Sequence, residues 1–322
     1  MRYRLLGATG IKVSEIGFGT WGIGGLTEAD TSYGPTDDNE SKRALRRAFD
    51  LGVTLYDTSD VYGYGHSEEL IGEVFRGVRE QIVIASKVGF LRHRGPQDFS
   101  PKYIRESLEK TLRRLRTDYL DIYQLHSPPI GDILNHPEAV ETLEDLVEEQ
   151  KIRAFGISLR TPDDGKVAIQ KLRFRSLQVN FNMIDQRILE NGVADLAKAE
   201  HVGLIARTPL NFGFLSGKLV GVTFDARDHR SHWPEAQLRR WAEAPQLFSF
   251  LYAKESGRTP VQAALQFCLS HPAVATVIPG MLTVKEVEEN VGAIETFPLT
   301  TEECARIRDI YSKNEFFEKP KQ

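Results

Sequence analysis

Short apolar runs recur along the chain, with amphipathic stretches between them. The runs Ile16–Trp21, Thr54–Thr58, Ile82–Lys87, Leu120–His126, Ala154–Ser158, Leu177–Asn182, Gly203–Thr208 and Ala275–Pro279 are rich in Val, Ile, Leu and Phe. They do not alternate cleanly with polar residues, a pattern that predicts parallel strands covered on both faces. Helical spacing predicts helices over Glu40–Leu51, His66–Phe75, Lys102–Leu115, Pro137–Glu149, Asp163–Leu172, Leu189–Glu200, Pro260–Leu269 and Thr283–Ile294. Local signals agree. Gly52 follows the first helix as a C-cap. Ser100-Pro101 opens the third with an N-cap and an N1 proline. Thr283 and Glu286 match a capping box.

Alternation of β and α from end to end implies an α/β protein with a parallel sheet. A doubly wound sheet would carry a GxGxxG turn running straight into a helix after its first strand. Here Ile16–Trp21 leads into GTWGIGGL, and the first strong helical pattern begins only at Glu40. A (β/α)8 TIM barrel fits better, and with no Pro/Gly/Ser linker it reads as a single domain over residues 1–322. Three additions stand out: an N-terminal β-hairpin of Arg2–Leu5 and Lys12–Val13, placed to plug the bottom of the barrel; an insertion at Phe224–Pro245, a candidate lid; and a C-terminal extension with a helix over Thr300–Lys313.

Composition narrows the picture. The chain is 41% hydrophobic and 27% charged with a formal net charge of −4, so no basic footprint for nucleic acid is expected. No apolar run approaches the roughly 18 residues of a membrane span. The N-terminus lacks the apolar core of a secretory signal. Cys268 and Cys304 stand alone, which argues against a metal site and fits two thiols in a reducing cytoplasm.

In a barrel of this kind the chemistry sits where the strands end. The second strand ends at Asp57 within DTSDVYG, with Tyr62 just beyond; the third ends at Lys87; the fourth at His126. Singly, each has a plain reading as a turn residue, a solvated tip or a hydrogen-bonded core histidine. Jointly they place an acid, a phenol, an ammonium and an imidazole at one mouth. A nearby ammonium would lower the phenol's pKa, Asp57 would hold Lys87, and His126 would donate to a carbonyl oxygen. That set suits a general acid acting where negative charge builds on oxygen.

The chain resembles the aldo-keto reductases. The resemblance lies in LGATGIKVSEIGFGTW, DTSDVYG, SEELIGE, IASKVG, DYLDIYQLHSP, GIS, LQVNFN, PLNFGFLSGK and IPGMLTVKEVEEN, taken in order. It implies a (β/α)8 barrel that binds a nicotinamide dinucleotide without a Rossmann fold. It implies reduction of an aldehyde or ketone, a sugar or keto sugar among them, with hydride from nicotinamide C4. Tyr62 would be the proton donor, Asp57 and Lys87 would tune it, and His126 would orient the carbonyl. Gly19, Thr20, Trp21 and Asp57 would lie at the nicotinamide end. Ser158 and Gln178 would bond the carboxamide. Pro209, Leu210 and Gly213 to Lys218 would wrap the pyrophosphate. Gly280, Met281, Thr283, Glu286, Glu289 and Asn290 would meet the adenosine. No metal is implied.

The chain departs from the family pattern in several places. Leu159 stands where the family commonly has Asn. Arg207-Thr208 precedes Pro209-Leu210 where a stacking aromatic is usual; a guanidinium can stack there, and its charge would disfavour the oxidised ring. Leu282 and Glu286 stand where NADP-using members often carry Arg and an Arg, Gln or His. Those residues favour NAD(H), family habit favours NADP(H), and NADP(H) is preferred by a narrow margin. Trp21, Tyr62, Phe90, Leu91, His126 and Trp233 would wall the substrate pocket. Arg92-His93-Arg94 and Arg227–His232 would meet an anionic substrate, or would simply be solvated loops. Two rival functions share the fold: a cofactor-binding regulatory subunit with little turnover, and a lyase or isomerase using Lys87 as a Schiff-base amine. The partner is expected to be a small carbonyl compound; oligomeric state is not legible.

Overall fold

The structure is a computed structural model and describes residues 1–25, 32–92, 95–252 and 256–318. Its main sheet contains eight strands in chain order: β3 (Phe18–Gly19), β4 (Leu55–Asp57), β5 (Val83–Val88), β6 (Leu120–His126), β7 (Ile152–Ser158), β8 (Ser176–Asn180), β9 (Gly203–Arg207) and β10 (Val274–Val277). Neighbours pair in parallel, and parallel bridges Ile16–Val277 and Gly19–Gly280 join the first strand to the last. The sheet therefore closes, with helices outside, as a (β/α)8 barrel.

The first strand is shorter than the apolar run suggested. Its early residues bond β10 through isolated contacts: Gly17 donates to Val277 C=O at 2.8 Å, and Gly19 to Pro279 C=O at 2.9 Å. The other seven strands match the expected segments within a few residues.

The hairpin, β1 (Tyr3–Leu5) with β2 (Lys12–Ser14), closes the bottom. Leu6, Ile11 and Val13 pack with the inward residues Leu55, Val83, Ala85, Ile122, Ala154, Ile205 and Ala275. Each fully buried aliphatic of this kind contributes about 1.5–3 kcal/mol. Arg2 and Arg4 clasp the buried Glu15 at 2.8 and 2.7 Å, which fixes the hairpin against the barrel.

Helix starts follow their caps. Ser100 accepts from Tyr103 N–H ahead of Pro101–Leu115. Thr259 with Gln262, Thr283 with Glu286 and Thr300 with Glu303 form capping boxes ahead of Pro260–Leu269, Val284–Val291 and Thr301–Lys313. The expected helix Leu189–Glu200 divides into Arg187–Glu190 and Val193–Ala199, because Gly192 lies between them at φ 74°. Helices Ile130–Asn135 and Glu235–Glu243 were not anticipated. The second belongs to the 224–245 insertion, where Trp241 is buried against Phe212, Phe214 and Trp233. No described helix is long and apolar enough to cross a membrane.

Candidate active site

The C-terminal ends of the strands surround a cavity of about 580 Å³. At its inner end Lys87, fully buried on β5, donates to Asp57 Oδ1 at 2.5 Å, to Thr58 C=O at 2.8 Å and to Tyr62 Oη at 3.3 Å. All three ammonium protons are thereby placed. Asp57, also buried, accepts on its other oxygen from Gln178 Nε2 at 2.6 Å and Gln124 Nε2 at 3.3 Å. Burial works against the Lys87 charge, but Asp57 and the phenol outweigh it and hold the ammonium above its ordinary range.

The Tyr62 phenol departs from expectation. Burial raises its pKa more than the Lys87 ammonium lowers it, and Asp57 adds to the rise. The group is therefore a stable phenol at neutral pH. It is held next to a cation, a neighbour that favours the ionised form of a phenol.

Two glycines let Tyr62 reach this place. Gly63, at φ 60°, passes so close to Gly24 that a Cβ would fall 2.4 Å from its carbonyl oxygen. Gly65, at φ 101°, leaves room for the Arg114 side chain, 2.4 Å from where a Cβ would sit. Arg114 in turn binds the buried Glu68 at 2.6 Å, and Glu68 accepts from Ser86 Oγ at 2.6 Å. The turn carrying Tyr62 is thus tied to β5, the strand carrying Lys87.

His126, at the tip of β6, completes the inner end. Its ring lies edge-on to Tyr62 and Phe90, at 6.0 and 4.9 Å between centroids, and its Nδ1 is 3.1 Å from Ser59 Oγ.

From there the cavity is lined by Gly19, Thr20 and Trp21 and by Arg207 to Leu210, Gly213 and Lys218. It ends at Gly280, Leu282, Glu286, Glu289 and Asn290. The loop after β9 is wound tightly: Thr208, Asn211, Phe212 and Gly213 all have φ between 44° and 89°. Lys218 and Glu289 join across the outer part at 2.9 Å.

Five expected contacts lie elsewhere. Ser158 is buried beside Gln178 in the β7–β8 register and is not on the wall; its hydroxyl has no partner. Met281 is fully buried in the core while Leu282 faces the cavity, a one-residue alternation in an extended segment. Thr283 is committed to its capping box. Trp233 meets Trp241 edge-on at 4.9 Å between centroids and packs against Phe212, and it is Phe212 that reaches the wall. Leu91 is half exposed and lines a separate shallow hollow with Asp60 and Tyr103. His93 and Arg94 lie outside the described residues. In the basic stretch Arg227 pairs with Asp225 and Arg230 with Asp228.

Gln124, Tyr33 and Phe212 were missed, while Arg230, within the expected basic stretch, lines the cavity. Gln124 was findable: it is a polar residue two positions before His126 in an apolar strand, hence on the same face.

Comparison with known proteins decides the family. Residues 15–312 match the model of the aldo/keto reductase family. The chain belongs to the aldo/keto reductases. The aldo-keto reductase YhdN of Bacillus subtilis is 33% identical over 290 residues, covering 87% of this chain and 85% of that one. The L-glyceraldehyde 3-phosphate reductase of Escherichia coli K12 is 30% identical, over 95% of this chain and 91% of its own. The holo form of aldo-keto reductase AKR11C1 from Bacillus halodurans superposes with a TM-score of 0.78 at 30% identity, covering 96% of each chain. This aldo/keto reductase is thus an oxidoreductase of a family that reduces small carbonyl compounds with NAD(P)H. No described cluster of His, Cys, Asp or Glu could hold a metal.

Proposed function

We propose that this aldo/keto reductase reduces an aldehyde or ketone to an alcohol, with Tyr62 as the proton donor. One observation supports this above the rest: Lys87 Nζ bridges Asp57 Oδ1 and Tyr62 Oη, and both of these partners line the cavity. The residues present fit a dinucleotide. The space beside Gly280 has no atom within 4 Å of a Cβ position, and Arg207, on the cavity wall, carries a buried Nε without a partner. When bound, the reduced nicotinamide supplies the hydride.

The chain's own groups do the rest. His126 and Tyr62 present polar atoms to the carbonyl oxygen, and Phe90 and Trp21 wall the space beside it. As negative charge grows on that oxygen, the Tyr62 proton moves to it and Lys87 stabilises the phenolate left behind. Asp57 keeps Lys87 charged and aimed, and Gln178 and Gln124 keep Asp57 in place. Gln178's amide nitrogen is therefore engaged with Asp57, which leaves its oxygen for a cofactor carboxamide.

For the outer end, geometry moves the balance from NADP(H) to NAD(H). The Glu286 carboxylate already accepts from Leu282 N–H at 2.6 Å and Thr283 N–H at 3.2 Å, and Glu40 accepts from Val284 N–H at 2.9 Å. The helix N-terminus that would hold a 2′-phosphate is filled by two carboxylates of this chain. The same carboxylates suit a ribose hydroxyl. A short sugar-like aldehyde fits the small inner end and the sugar-related relative. The two buried thiols, Cys268 and Cys304, suit a reducing cytoplasm.

The test is isotopic. With dihydronicotinamide dinucleotide deuterated at the transferring position and a panel of short aldehydes, the product alcohol should gain one deuterium on carbon. A full panel yielding no labelled alcohol would overturn the reading.

A further inference from the structure

The charge balance of the inner end is uneven. Lys87 and Asp57 neutralise each other at 2.5 Å. Arg207, at the end of β9, also lines the cavity. Among the described residues it has no ion pair: its Nη2 donates to Leu159 C=O at 3.0 Å, and its Nε is sealed from solvent without a partner. The carboxylates that act on it are taken. Asp57 is held by Lys87 and Gln178, and Asp185 is bound by Arg187 through two bonds of 2.7 and 2.6 Å. Burial lowers the pKa of Arg207, as expected of a cation without a counter-ion. A guanidinium nonetheless keeps its proton in proteins. The inner end therefore carries one uncompensated positive charge.

We propose that Arg207 sets the redox balance of the bound cofactor, favouring the reduced ring over the oxidised one and so biasing the enzyme toward carbonyl reduction. The inference rests on the function proposed above. A carbonyl within reach of Tyr62 requires the nicotinamide ring to lie beside it, and Arg207 and Tyr62 line the same cavity. The reduced ring is neutral and the oxidised ring is a cation. All other charges of the dinucleotide are common to both forms, so only the ring distinguishes them. Repulsion between two positive charges a few ångströms apart inside a protein changes a binding constant by about tenfold or more. The same repulsion speeds departure of the spent cofactor once Tyr62 has regained its proton. At the place where a flat uncharged ring would serve equally for stacking, this chain has a planar cation.

The experiment is a titration of the purified protein with NADH and NAD+, and with NADPH and NADP+, by calorimetry or fluorescence. It compares wild type, Arg207→Met and Arg207→Lys, with Arg207→Gln in place of the methionine variant if that one does not fold. Wild type should hold the reduced form at least about tenfold more tightly. Arg207→Met should shrink that ratio by about tenfold, chiefly through tighter binding of the oxidised form, equivalent to about 30 mV for a two-electron couple. Arg207→Lys, which keeps the charge, should retain most of it. A ratio in Arg207→Met within about twofold of wild type, or equal weakening of both forms, would mean that Arg207 only braces Leu159, and would overturn the inference while leaving the proposed function standing. A wild-type chain that binds no dinucleotide would overturn both.

Discussion

The two ends of the cavity are built differently. At the inner end, Asp57, Lys87, His126 and Gln178 stand on strands that are hydrogen-bonded to their neighbours, and each polar group is fixed by another. At the outer end, the lining comes from a loop with several left-handed residues and from the start of one helix, and Glu286 is exposed. The inner residues cannot shift without breaking the sheet. In the function proposed above, selectivity for the dinucleotide is left to surface carboxylates, where a single residue can change without cost to the core.

The largest effect should follow from breaking the inner end. Lys87→Met leaves the Asp57 carboxylate buried without its cation, and removing one partner of such a pair costs about 3–5 kcal/mol. A denaturant titration should show that loss, and turnover should fall at least about 100-fold, the low end for losing acid–base assistance. A variant of unchanged stability would show that the pair is not the keystone of this end. At the outer end the change should be milder and confined to binding. Glu286→Gln removes one charge at a helix N-terminus, worth about 1 kcal/mol, so affinity for NADPH should rise roughly fivefold relative to NADH with turnover on NADH little changed. An unaltered preference would assign selectivity elsewhere.

The same division governs what the sequence made legible. The strands were readable because residues covered on both faces must be apolar along their whole length, and Asp57, Lys87 and His126 because they stand at or next to the ends of those strands, with Tyr62 just beyond the second. Helix starts were readable from side chains such as Ser100, Thr283 and Glu286 that satisfy backbone N–H groups locally. Where an irregular segment decides which side chain faces inward, reading by position failed. Met281 turns to the core and Leu282 to the cavity. Trp233 packs against Phe212 and not on the wall, because the packing of the insertion depends on Trp241, a residue far from any motif. The Tyr62 phenol was expected to be acidified by Lys87. Pairwise charge reasoning omits desolvation, which here is the larger effect and depends on a burial that no short motif records.

The central claim is that the Tyr62 phenol, next to the Lys87 ammonium, delivers the proton. The most direct measurement is single-turnover reduction of an aldehyde by Tyr62→Phe loaded with saturating reduced cofactor, after titration has shown that the variant binds that cofactor as wild type does. The mechanism predicts a rate lower by about 100- to 10,000-fold, the range for losing a general acid. A single-turnover rate equal to wild type, with the cofactor fully bound, would contradict it.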